Sequence, residues 1–218
     1  MSILRARKIK LLLFDVDGVM TDGSIWLFPA PAGADHSTAA LREAVVDQGG
    51  YSVSGSTMIE AKGFNAHDGT AFSLARLGGL KTGLITKRIS ETVALRARDL
   101  KIEYVYQGAA DKLTAFAEIL QKEGIGADEA CFVGDDVIDL PVMRVCGLAV
   151  AVRNAREEVK DEADFITDHR GGDGAVRDVV EYVLKAQGKL DDCVEKYIAS
   201  RTPETAFGHT ARRKTKRT

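Results

Sequence analysis

The sequence predicts an α/β fold in which a parallel sheet forms the middle of three layers, and two patterns support it. A continuous apolar run at residues 11–14 is followed by Asp15-Val16-Asp17-Gly18, as in a strand that is buried on both faces and opens into a loop. From Asp68 onward, β-prone runs alternate with helical patterns, which is typical of a parallel sheet with right-handed crossovers. The length of 218 residues suits a single domain, which we place at residues 1–200.

A β-hairpin is predicted at about residues 24–64, between the first strand and the alternating part of the chain. Its strands are the β-prone runs at residues 24–28 and 56–64, and a proline-rich stretch ends the first of them. The residues between the runs mix Gly, Ser and Asp with a short helical pattern at residues 38–46. We therefore expect an insertion at the hairpin tip.

Strands and helices alternate after the hairpin. Side chains at Asp68, at Asp111 and near Asn154 are expected to cap the starts of three helices, and Gly78-Gly79 ends the first of these. The other expected elements are strands at residues 81–86, 103–106, 130–133, 148–152 and 163–167 and helices at residues 90–100, about 174–187 and 191–200.

Composition and charge argue against two classes of partner. The formal net charge is -2 and the isoelectric point is about 6.1, so nothing general favours nucleic acid, and only residues 211–217 are strongly basic. No apolar run approaches the roughly 20 residues of a membrane span, and residues 1–10 lack the apolar centre of a signal peptide. We expect a cytoplasmic protein without a membrane partner and with a disordered basic tail at residues 201–218. The three cysteines are spaced neither for disulfides nor for zinc and are expected to be reduced core thiols.

Asp15 and Asp17 are the first candidate site residues. The carboxyl ends of parallel strands face the crevice where α/β proteins bind ligands, which places both carboxylates in a site. The period of a strand aims the two side chains the same way, and a hard cation such as Mg²⁺ would relieve their repulsion. Taken alone, the stretch fits a solvated Asp-Gly turn equally well.

Three later elements supply the other groups that a phosphoryl-transfer site requires. Thr86 ends a strand with a hydroxyl. Lys112 lies at the start of a helix, where a cation opposes the macrodipole unless a phosphate lies nearby; a solvated first-turn residue is the alternative interpretation. A later strand runs into Asp135 and Asp136, with Asp139 one turn further on. A second acidic pair at a second strand end fits the completion of an oxygen-ligand cation site.

The order of these residues resembles the four motifs of the haloacid dehalogenase superfamily of phosphotransferases. The order and the strand-end placement of four motifs are far more specific than any one motif. The resemblance is closer to a small, capless branch of that superfamily that acts on phosphorylated sugar acids, and it spans residues 9 to about 190. The stretches that carry it, besides Asp15 to Gly23, are Gly63-Phe64-Asn65-x-x-Asp68-Gly69, Tyr106-Gln107-Gly108, Val133-Gly134-Asp135-Asp136-x-Ile138-Asp139, Gly171-Gly172-x-Gly174-Ala175-Val176-Arg177 and Gln187-Gly188-Lys189-Leu190.

The resemblance implies a Rossmann-like fold of the haloacid dehalogenase type, with a β-hairpin insertion in place of a large cap. It implies that Asp15 is the nucleophile that forms an aspartyl-phosphate, and that Asp17 protonates the leaving oxygen and then activates water. Thr86 and Lys112 would neutralise the phosphoryl oxygens. Mg²⁺ would be bound by Asp15, the backbone carbonyl of Asp17 and Asp135.

Residues around this centre are expected to orient it and to bind the substrate. Asp136 and Asp139 would orient the lysine or the waters on the metal. The resembling proteins usually have Arg where this chain has His67, and Gly where it has Lys87. His gives a sugar carboxylate one contact instead of a bidentate pair, and Lys87 either restores a positive charge or is a solvated loop residue. The expected substrate-binding residues are Asp17, His67, Lys87 and Arg88.

The substrate and the assembly are also implied by the resemblance. The expected substrate is a phosphorylated sugar acid, above all 3-deoxy-D-manno-octulosonate 8-phosphate, which gives a role in lipopolysaccharide biosynthesis. A nine-carbon nonulosonate phosphate or another small phosphometabolite is the alternative. The expected assembly is a homotetramer formed through the hairpin, with subunits that cover one another's sites.

Two interpretations without catalysis compete with this one. A signalling receiver domain also combines a phosphorylated Asp with a Thr and a Lys at parallel strand ends. Receivers carry their acidic pair before the phosphorylated Asp, whereas Asp17 follows Asp15 and is placed to hydrolyse an acyl-phosphate. The other interpretation treats the basic tail as a nucleic-acid arm on a retired enzyme, but five cations without interleaved aromatics give only a weak, salt-dependent contact.

Overall fold

A six-stranded parallel sheet forms the centre of the structure, a computed structural model that describes residues 2–29 and 58–201. When the strands of the described residues are numbered in chain order, those of this sheet stand side by side in the order 5-4-1-6-7-8. Every neighbouring pair is parallel. The predicted α/β architecture is therefore confirmed. The strands are β1 (Leu11–Phe14), β2 (Trp26–Pro29), β3 (Met58–Ala61), β4 (Lys81–Ile85), β5 (Tyr104–Tyr106), β6 (Ala130–Gly134), β7 (Leu148–Ala151) and β8 (Phe165–Ile166).

Helices flank this sheet and pack on one another. They are α1 (Ser2–Ala6), α2 (Ala66–Leu77), α3 (Glu91–Leu100), α4 (Lys112–Glu123), α5 (Leu140–Met143), α6 (Glu157–Lys160), α7 (Ala175–Ala186) and α8 (Leu190–Ala199). Helix α2 contacts α7 and α8, α1 contacts α7, and α4 contacts α5. Helix α7 buries the apolar stripe Val176, Val179, Val180, Val183 and Leu184, which has the spacing of one helix face.

Strand β1 lies in the middle of the sheet and sets the position of the candidate site. Leu11 pairs with Lys81 of β4 on one side and with Ala130 of β6 on the other. All four residues of β1 are buried, as predicted for a strand covered on both faces. Asp15 follows directly, and its backbone N–H donates to the carbonyl of Val133 at 3.0 Å. The carboxyl ends of β1, β4 and β6 therefore lie side by side.

The predicted hairpin is present as a separate two-stranded antiparallel sheet of β2 and β3. Its first strand exposes large apolar side chains, with Trp26, Leu27 and Phe28 at 59%, 45% and 50% exposure. The hairpin tip, with the helical pattern expected at residues 38–46, lies outside the described residues. The same holds for the basic tail from residue 202 to residue 218.

Helix α2 begins differently from the prediction. Its N-cap is Asn65, whose side chain accepts a hydrogen bond from the backbone N–H of His67 at 2.7 Å. Asp68 instead accepts from the backbone N–H groups of Gly174 at 3.2 Å and Arg177 at 2.9 Å. The expected cap was wrong because the Asp68 carboxylate turns to α7 and caps the start of that helix from 106 residues away in sequence.

The cap expected near Asn154 was also wrong. Helix α6 begins after Arg156, and no side chain caps it. Asn154 accepts a hydrogen bond from the backbone N–H of Gly171 at 2.6 Å and donates to the carbonyl of Gly18 at 3.4 Å. It thereby joins the loop after β1 to the loop before α7. The third expected cap is confirmed, since Asp111 accepts from the first-turn N–H groups of α4.

The cysteines are free and buried, as predicted for core thiols. Burial raises the pKa of Cys131 well above its ordinary value, and it raises the pKa of Cys146 to about 11. Neither thiol is therefore an activated nucleophile. Within residues 2–29 and 58–201, no helix has the length and apolar character needed to cross a membrane.

Candidate active site

Asp15 and Lys112 form a buried ion pair at the carboxyl edge of the sheet. The Lys112 Nζ atom lies 2.9 Å from Oδ1 of Asp15 and 2.6 Å from Oδ1 of Asp139. None of the three side chains is more than 6% exposed. The two carboxylates stabilise a cation at the first position of α4, where the helix dipole opposes it. The charge conflict that the sequence suggested is thus relieved within the protein.

Asp139 is fully engaged by groups of the protein itself. Its Oδ1 accepts from Lys112, and its Oδ2 accepts from the backbone N–H groups of Asp135 at 3.0 Å and Asp136 at 3.3 Å. The carboxylate therefore ties the lysine to the loop that follows β6. These contacts are compatible with the expected role of orienting Lys112, and that role stays a prediction.

Asp135 adds a third carboxylate to this centre. Among the described residues, one oxygen each of Asp15, Asp135 and Asp139 lie within 4.8 Å of one another. Gly18 makes room for this approach, because its φ is 94° and a Cβ at that position would overlap the Asp135 carboxylate. The Oδ1 atom of Asp135 is buried and has no hydrogen-bond partner within that part of the chain. A buried oxygen of this kind is costly unless a bound group contacts it.

The carboxyl groups of this centre outnumber the cations that contact them. Burial raises the pKa of Asp15 to about 7, with Lys112 lowering it and Asp139 raising it. Burial, followed by the charges of Asp15 and Asp139, raises the pKa of Asp135 to about 8. Burial lowers the pKa of Lys112, but the two neighbouring carboxylates outweigh it and raise that pKa overall, so the ammonium stays charged. One ammonium does not neutralise three carboxylates.

These residues fit a hard divalent cation. Because Asp139 is occupied by Lys112 and two backbone amides, Asp15 and Asp135 are the carboxylates with oxygens left for a metal. Mg²⁺ takes one or two carboxylates and completes its shell with waters and phosphate oxygens. The buried, unpartnered oxygen of Asp135 is the observation that favours such an ion over a purely structural acidic cluster.

Thr86 lies beside this centre, at the end of β4. It is 3% exposed, and its backbone N–H donates to the carbonyl of Tyr106 at 2.9 Å. Its hydroxyl oxygen accepts from the backbone N–H of Arg88 at 3.4 Å. A hydroxyl that accepts one hydrogen bond can also donate its own hydrogen, here to a phosphoryl oxygen at the carboxyl edge.

Asp17 belongs to a second cluster, which the sequence did not predict in full. Its Oδ1 contacts the ammonium of Lys62, and its Oδ2 lies 3.6 Å from Nε of Arg88. Glu60 contacts both cations, with Oε2 at 2.5 Å from the Arg88 guanidinium and Oε1 at 3.6 Å from Lys62. Since β1 ends at Phe14, the strand alternation expected to aim both aspartates alike does not reach Asp17. The two aspartates contact different cations.

Lys62 and Glu60 are the site residues that sequence reasoning missed. Glu60 lies in β3 and Lys62 directly follows that strand. Because the two residues are two positions apart, their side chains point the same way and reach the same neighbours. The available signal was a Glu-x-Lys pair immediately before the Gly63-Phe64-Asn65 stretch. That signal was weak, because charged pairs on a hairpin usually face solvent.

Three expected site residues lie outside these two clusters. His67 is exposed in the first turn of α2, and Lys87 is half-buried in the turn after Thr86. Asp136 is exposed, and its side chain accepts from the backbone N–H of Val137 at 2.7 Å, so it caps a short turn of helix at residues 137–139. The substrate contacts of His67 and Lys87 therefore stay predictions, as does the role given to Asp136.

A glycine-rich loop holds the segment that carries Asp17. The backbone N–H of Gly172 donates to the carbonyl of Val19 at 3.1 Å. A Cβ on Gly171 would overlap the carbonyl oxygen of Gly18, so only glycine allows the two loops to approach this closely. The loop before α7 thus fixes the backbone next to the candidate site, in agreement with the Gly-rich stretch noted in the sequence.

Taken together, the two clusters can carry out substitution at phosphorus. Asp15 is a buried carboxylate beside a lysine, as a nucleophile toward an anionic group requires. Thr86 and Lys112 provide a hydroxyl and an ammonium for phosphoryl oxygens. Asp17 is a separate carboxyl group two residues after Asp15, and a carboxyl group that is held by neighbouring side chains can take part in proton transfer.

Comparisons with known proteins agree with this chemistry. A family described as haloacid dehalogenase-like hydrolase matches residues 84–179. The 3-deoxy-D-manno-octulosonate 8-phosphate phosphatase KdsC of Escherichia coli K12 is 37% identical over 190 residues, which are 87% of each chain. The crystal structure of the corresponding phosphatase from Moraxella catarrhalis, in complex with a magnesium ion, a phosphate ion and a KDO molecule, has a TM-score of 0.74 and 32% identity, covering 89% of this chain and 97% of that one. The Yersinia pestis enzyme has a TM-score of 0.72 and 34% identity, covering 87% and 88%.

Proposed function

Because the chain belongs to the haloacid dehalogenase-like hydrolases and is a phosphoric monoester hydrolase, we propose that it hydrolyses a phosphorylated sugar acid with the help of Mg²⁺. The preferred substrate in this proposal is 3-deoxy-D-manno-octulosonate 8-phosphate, and the products are the free sugar acid and phosphate. The observation that carries the proposal is the acidic centre of Asp15, Asp135 and Asp139 around Lys112, next to a separately held Asp17.

The reaction proceeds in two steps at this site. Asp15 attacks phosphorus in line while Asp17 gives a proton to the leaving sugar oxygen, which forms an aspartyl-phosphate on Asp15. Asp17 then takes a proton from the water that attacks phosphorus and releases phosphate. Thr86 and Lys112 bind the nonbridging phosphoryl oxygens through both steps, and their placement before the substrate arrives lowers the cost of the charge that develops.

The metal site in this proposal consists of Asp15, Asp135 and the backbone carbonyl of Asp17. Bound Mg²⁺ supplies positive charge that offsets the carboxylates and the phosphoryl oxygens. Asp139 keeps Lys112 in place, and Asp136 fixes the backbone between these residues by capping the short helix that follows. The unpartnered Oδ1 of Asp135 supports this arrangement.

The sugar acid is the part of the proposal that rests most on the relatives. Their printed names specify the octulosonate 8-phosphate, and the Moraxella structure holds a KDO molecule. Arg88 is 11% exposed and close to Asp17, which suits a group that meets a substrate carboxylate. In this proposal Lys87 adds a further positive charge, and His67 adds a further hydrogen-bonding group, for the substrate. A nine-carbon nonulosonate phosphate is the second candidate, since it presents the same phosphate and carboxylate.

We also propose that the chain assembles as a homotetramer through the hairpin. The exposed Trp26, Leu27, Phe28 and Ile59 support this, because a run of neighbouring large apolar side chains on a two-stranded sheet is typical of an interaction surface. Light scattering coupled to size-exclusion chromatography measures the mass directly. A monomer at micromolar concentration would contradict the tetramer.

A phosphate-release screen tests the proposed function. The purified chain is assayed against 3-deoxy-D-manno-octulosonate 8-phosphate, a nonulosonate 9-phosphate, glucose 6-phosphate and fructose 6-phosphate, each with Mg²⁺ and with EDTA. We expect the highest kcat/KM for a sugar acid phosphate and loss of turnover in EDTA that added Mg²⁺ restores. Equal rates on neutral sugar phosphates would contradict the sugar-acid assignment, and turnover in EDTA would contradict the metal.

A further inference from the structure

Lys62 is a buried cation to which the proposed reaction gives no role. Its side chain has 0% exposure, and its ammonium contacts the Asp17 carboxylate. A lysine is kept in such a place only when it is paired, because burying an unpaired ammonium is costly. Its partners are Asp17 and, at 3.6 Å, Glu60. The buried lysine is thus paired with the carboxyl group to which proton transfer is assigned.

Charge contacts join the hairpin to the core at this point. Glu60 of β3 binds the Arg88 guanidinium at 2.5 Å, and the Thr92 hydroxyl donates to the Glu60 carbonyl at 3.3 Å. Lys62, just after β3, reaches Asp17 from the same side. By contrast, β2 exposes its side chains. The hairpin therefore meets the core through the residues that surround Asp17.

These contacts restrict the orientation of the Asp17 carboxylate. Lys62 holds Oδ1, while Arg88 lies 3.6 Å from Oδ2. A carboxylate with a cation at each oxygen has little freedom to rotate. Proton transfer depends strongly on such alignment, since the proton must pass over one hydrogen-bond length to a defined oxygen.

We propose that Lys62 is a positioning residue of the reaction, which holds the Asp17 carboxylate in the pose for proton transfer, with Glu60 orienting the lysine. The inference rests on the proposed function. In the first step the proton on Asp17 passes to the bridging oxygen as the phosphorus–oxygen bond breaks and the bond to Asp15 forms. In the second step a water proton passes to Asp17 as the water oxygen bonds to phosphorus and the bond to Asp15 breaks. Because Lys62 belongs to the hairpin, both proton transfers depend on the hairpin being docked on the core.

The test compares two leaving groups in the first turnover of the full-length protein. A sugar phosphate, the best of the panel, has an alkoxide leaving group that needs a proton, whereas p-nitrophenyl phosphate releases a stabilised phenolate without one. In Lys62→Met we expect the first turnover of the sugar phosphate to fall by about 100-fold and that of the aryl phosphate by less than about threefold. Lys62→Arg keeps a cation at the position and is expected to recover most of the loss.

The controls separate positioning from damage. Lys8 lies on the surface before β1, and its Nζ atom is 3.4 Å from Oδ2 of Asp128. Lys8→Met therefore removes another lysine that is paired with an aspartate, and it is expected to leave both rates unchanged. Equal losses for both substrates, or no loss for the sugar phosphate, would overturn the positioning role. If Lys62→Met does not fold by circular dichroism, Glu60→Gln carries the same comparison, with an expected selective loss of about tenfold. An inactive wild type would instead refute the proposed function itself.

Discussion

Two clusters of charge adjoin the loop after β1, and they differ in balance. The acid-rich cluster contains three carboxylates and one ammonium, from Asp15, Asp135, Asp139 and Lys112. The paired cluster contains two carboxylates and two cations, from Asp17, Glu60, Lys62 and Arg88. The first needs a cation from outside the chain, and the second is neutral by itself. Two aspartates separated by one residue thereby acquire different chemistry from their surroundings.

Replacing Asp15, the proposed nucleophile of the acid-rich cluster, tests this comparison most directly. We expect Asp15→Asn to lower the phosphate-release rate by at least about 10⁴-fold, because the covalent step has no substitute nucleophile. Asp128→Asn changes an exposed aspartate before β6 and is the matched control, with an unchanged rate. If Asp15→Asn kept most of its activity, the aspartyl-phosphate would be ruled out.

Removing the single cation of the acid-rich cluster should have the next largest effect. Lys112→Met is expected to lower kcat by about 100- to 1,000-fold, since a charge that neutralises the phosphoryl group is lost. In EDTA, the free energy of unfolding in urea should fall by roughly 3 kcal/mol, because Asp15 and Asp139 lose their buried partner.

The control for that variant is Lys185→Met, which opens an exposed i,i+4 pair with Glu181 on α7. Its free energy of unfolding is expected to change by less than about 0.5 kcal/mol. A Lys112→Met protein as stable as this control in EDTA would show that the ion pair with Asp15 does not stabilise the fold.

The acid-rich cluster also predicts a pH dependence for the metal-free protein. The folded pKa values of Asp15 and Asp135, about 7 and about 8, lie above the ordinary 3.8. The stability that these groups contribute is therefore complete below that ordinary value and is lost as pH rises through 7 and 8. We expect the Tm in EDTA to fall between about pH 4 and pH 8.

Added Mg²⁺ should oppose that fall. It binds the ionised carboxylates, so its increase in Tm is expected to be larger at about pH 8.5 than at about pH 6. Asp135→Asn removes one of the two groups and should flatten both trends in differential scanning fluorimetry. An increase in Tm that does not depend on pH would place the metal elsewhere.

The smallest expected effect concerns the hairpin, which carries Glu60 and Lys62 of the paired cluster. Phe28→Ser alters a side chain that is 50% exposed, so the free energy of unfolding of one subunit should change by less than about 0.5 kcal/mol. The mass from light scattering should nevertheless decrease, because the change falls on the proposed subunit interface. Val145→Ser, at 48% exposure away from the hairpin, is the control and should leave the mass unchanged.

Sequence reasoning predicted the sheet and the acid-rich cluster well, for a common reason. Parallel strands end at one edge, so residues that follow β1, β4 and β6 converge whatever the loops between them do. This rule was enough to bring Asp15, Thr86 and Asp135 together. Lys112 was recognised because a cation at a helix start needs a compensating charge, although that charge comes from Asp15 and Asp139 and not from a ligand.

The paired cluster was predicted only in part, because no such rule fixes how a hairpin docks. Arg88 was included because it closely follows Thr86, whereas Glu60 and Lys62 were assigned only to the β-prone run at residues 56–64. Side chains that leave their own element were missed in the same way. Asp68 looked like the cap of its own helix and caps α7, and Asn154 looked like a helix start and joins two loops.

The central place of β1 has a consequence for how the protein is made. Its partners are Lys81 to Leu84 on one side and Ala130 to Val133 on the other, so the earliest strand to leave the ribosome is flanked by strands that are synthesised much later. An apolar segment in that position stays without sheet partners while the intervening chain emerges. The candidate site consequently cannot form step by step during translation, because Asp15 acquires its neighbours in the sheet only after β6 has been synthesised.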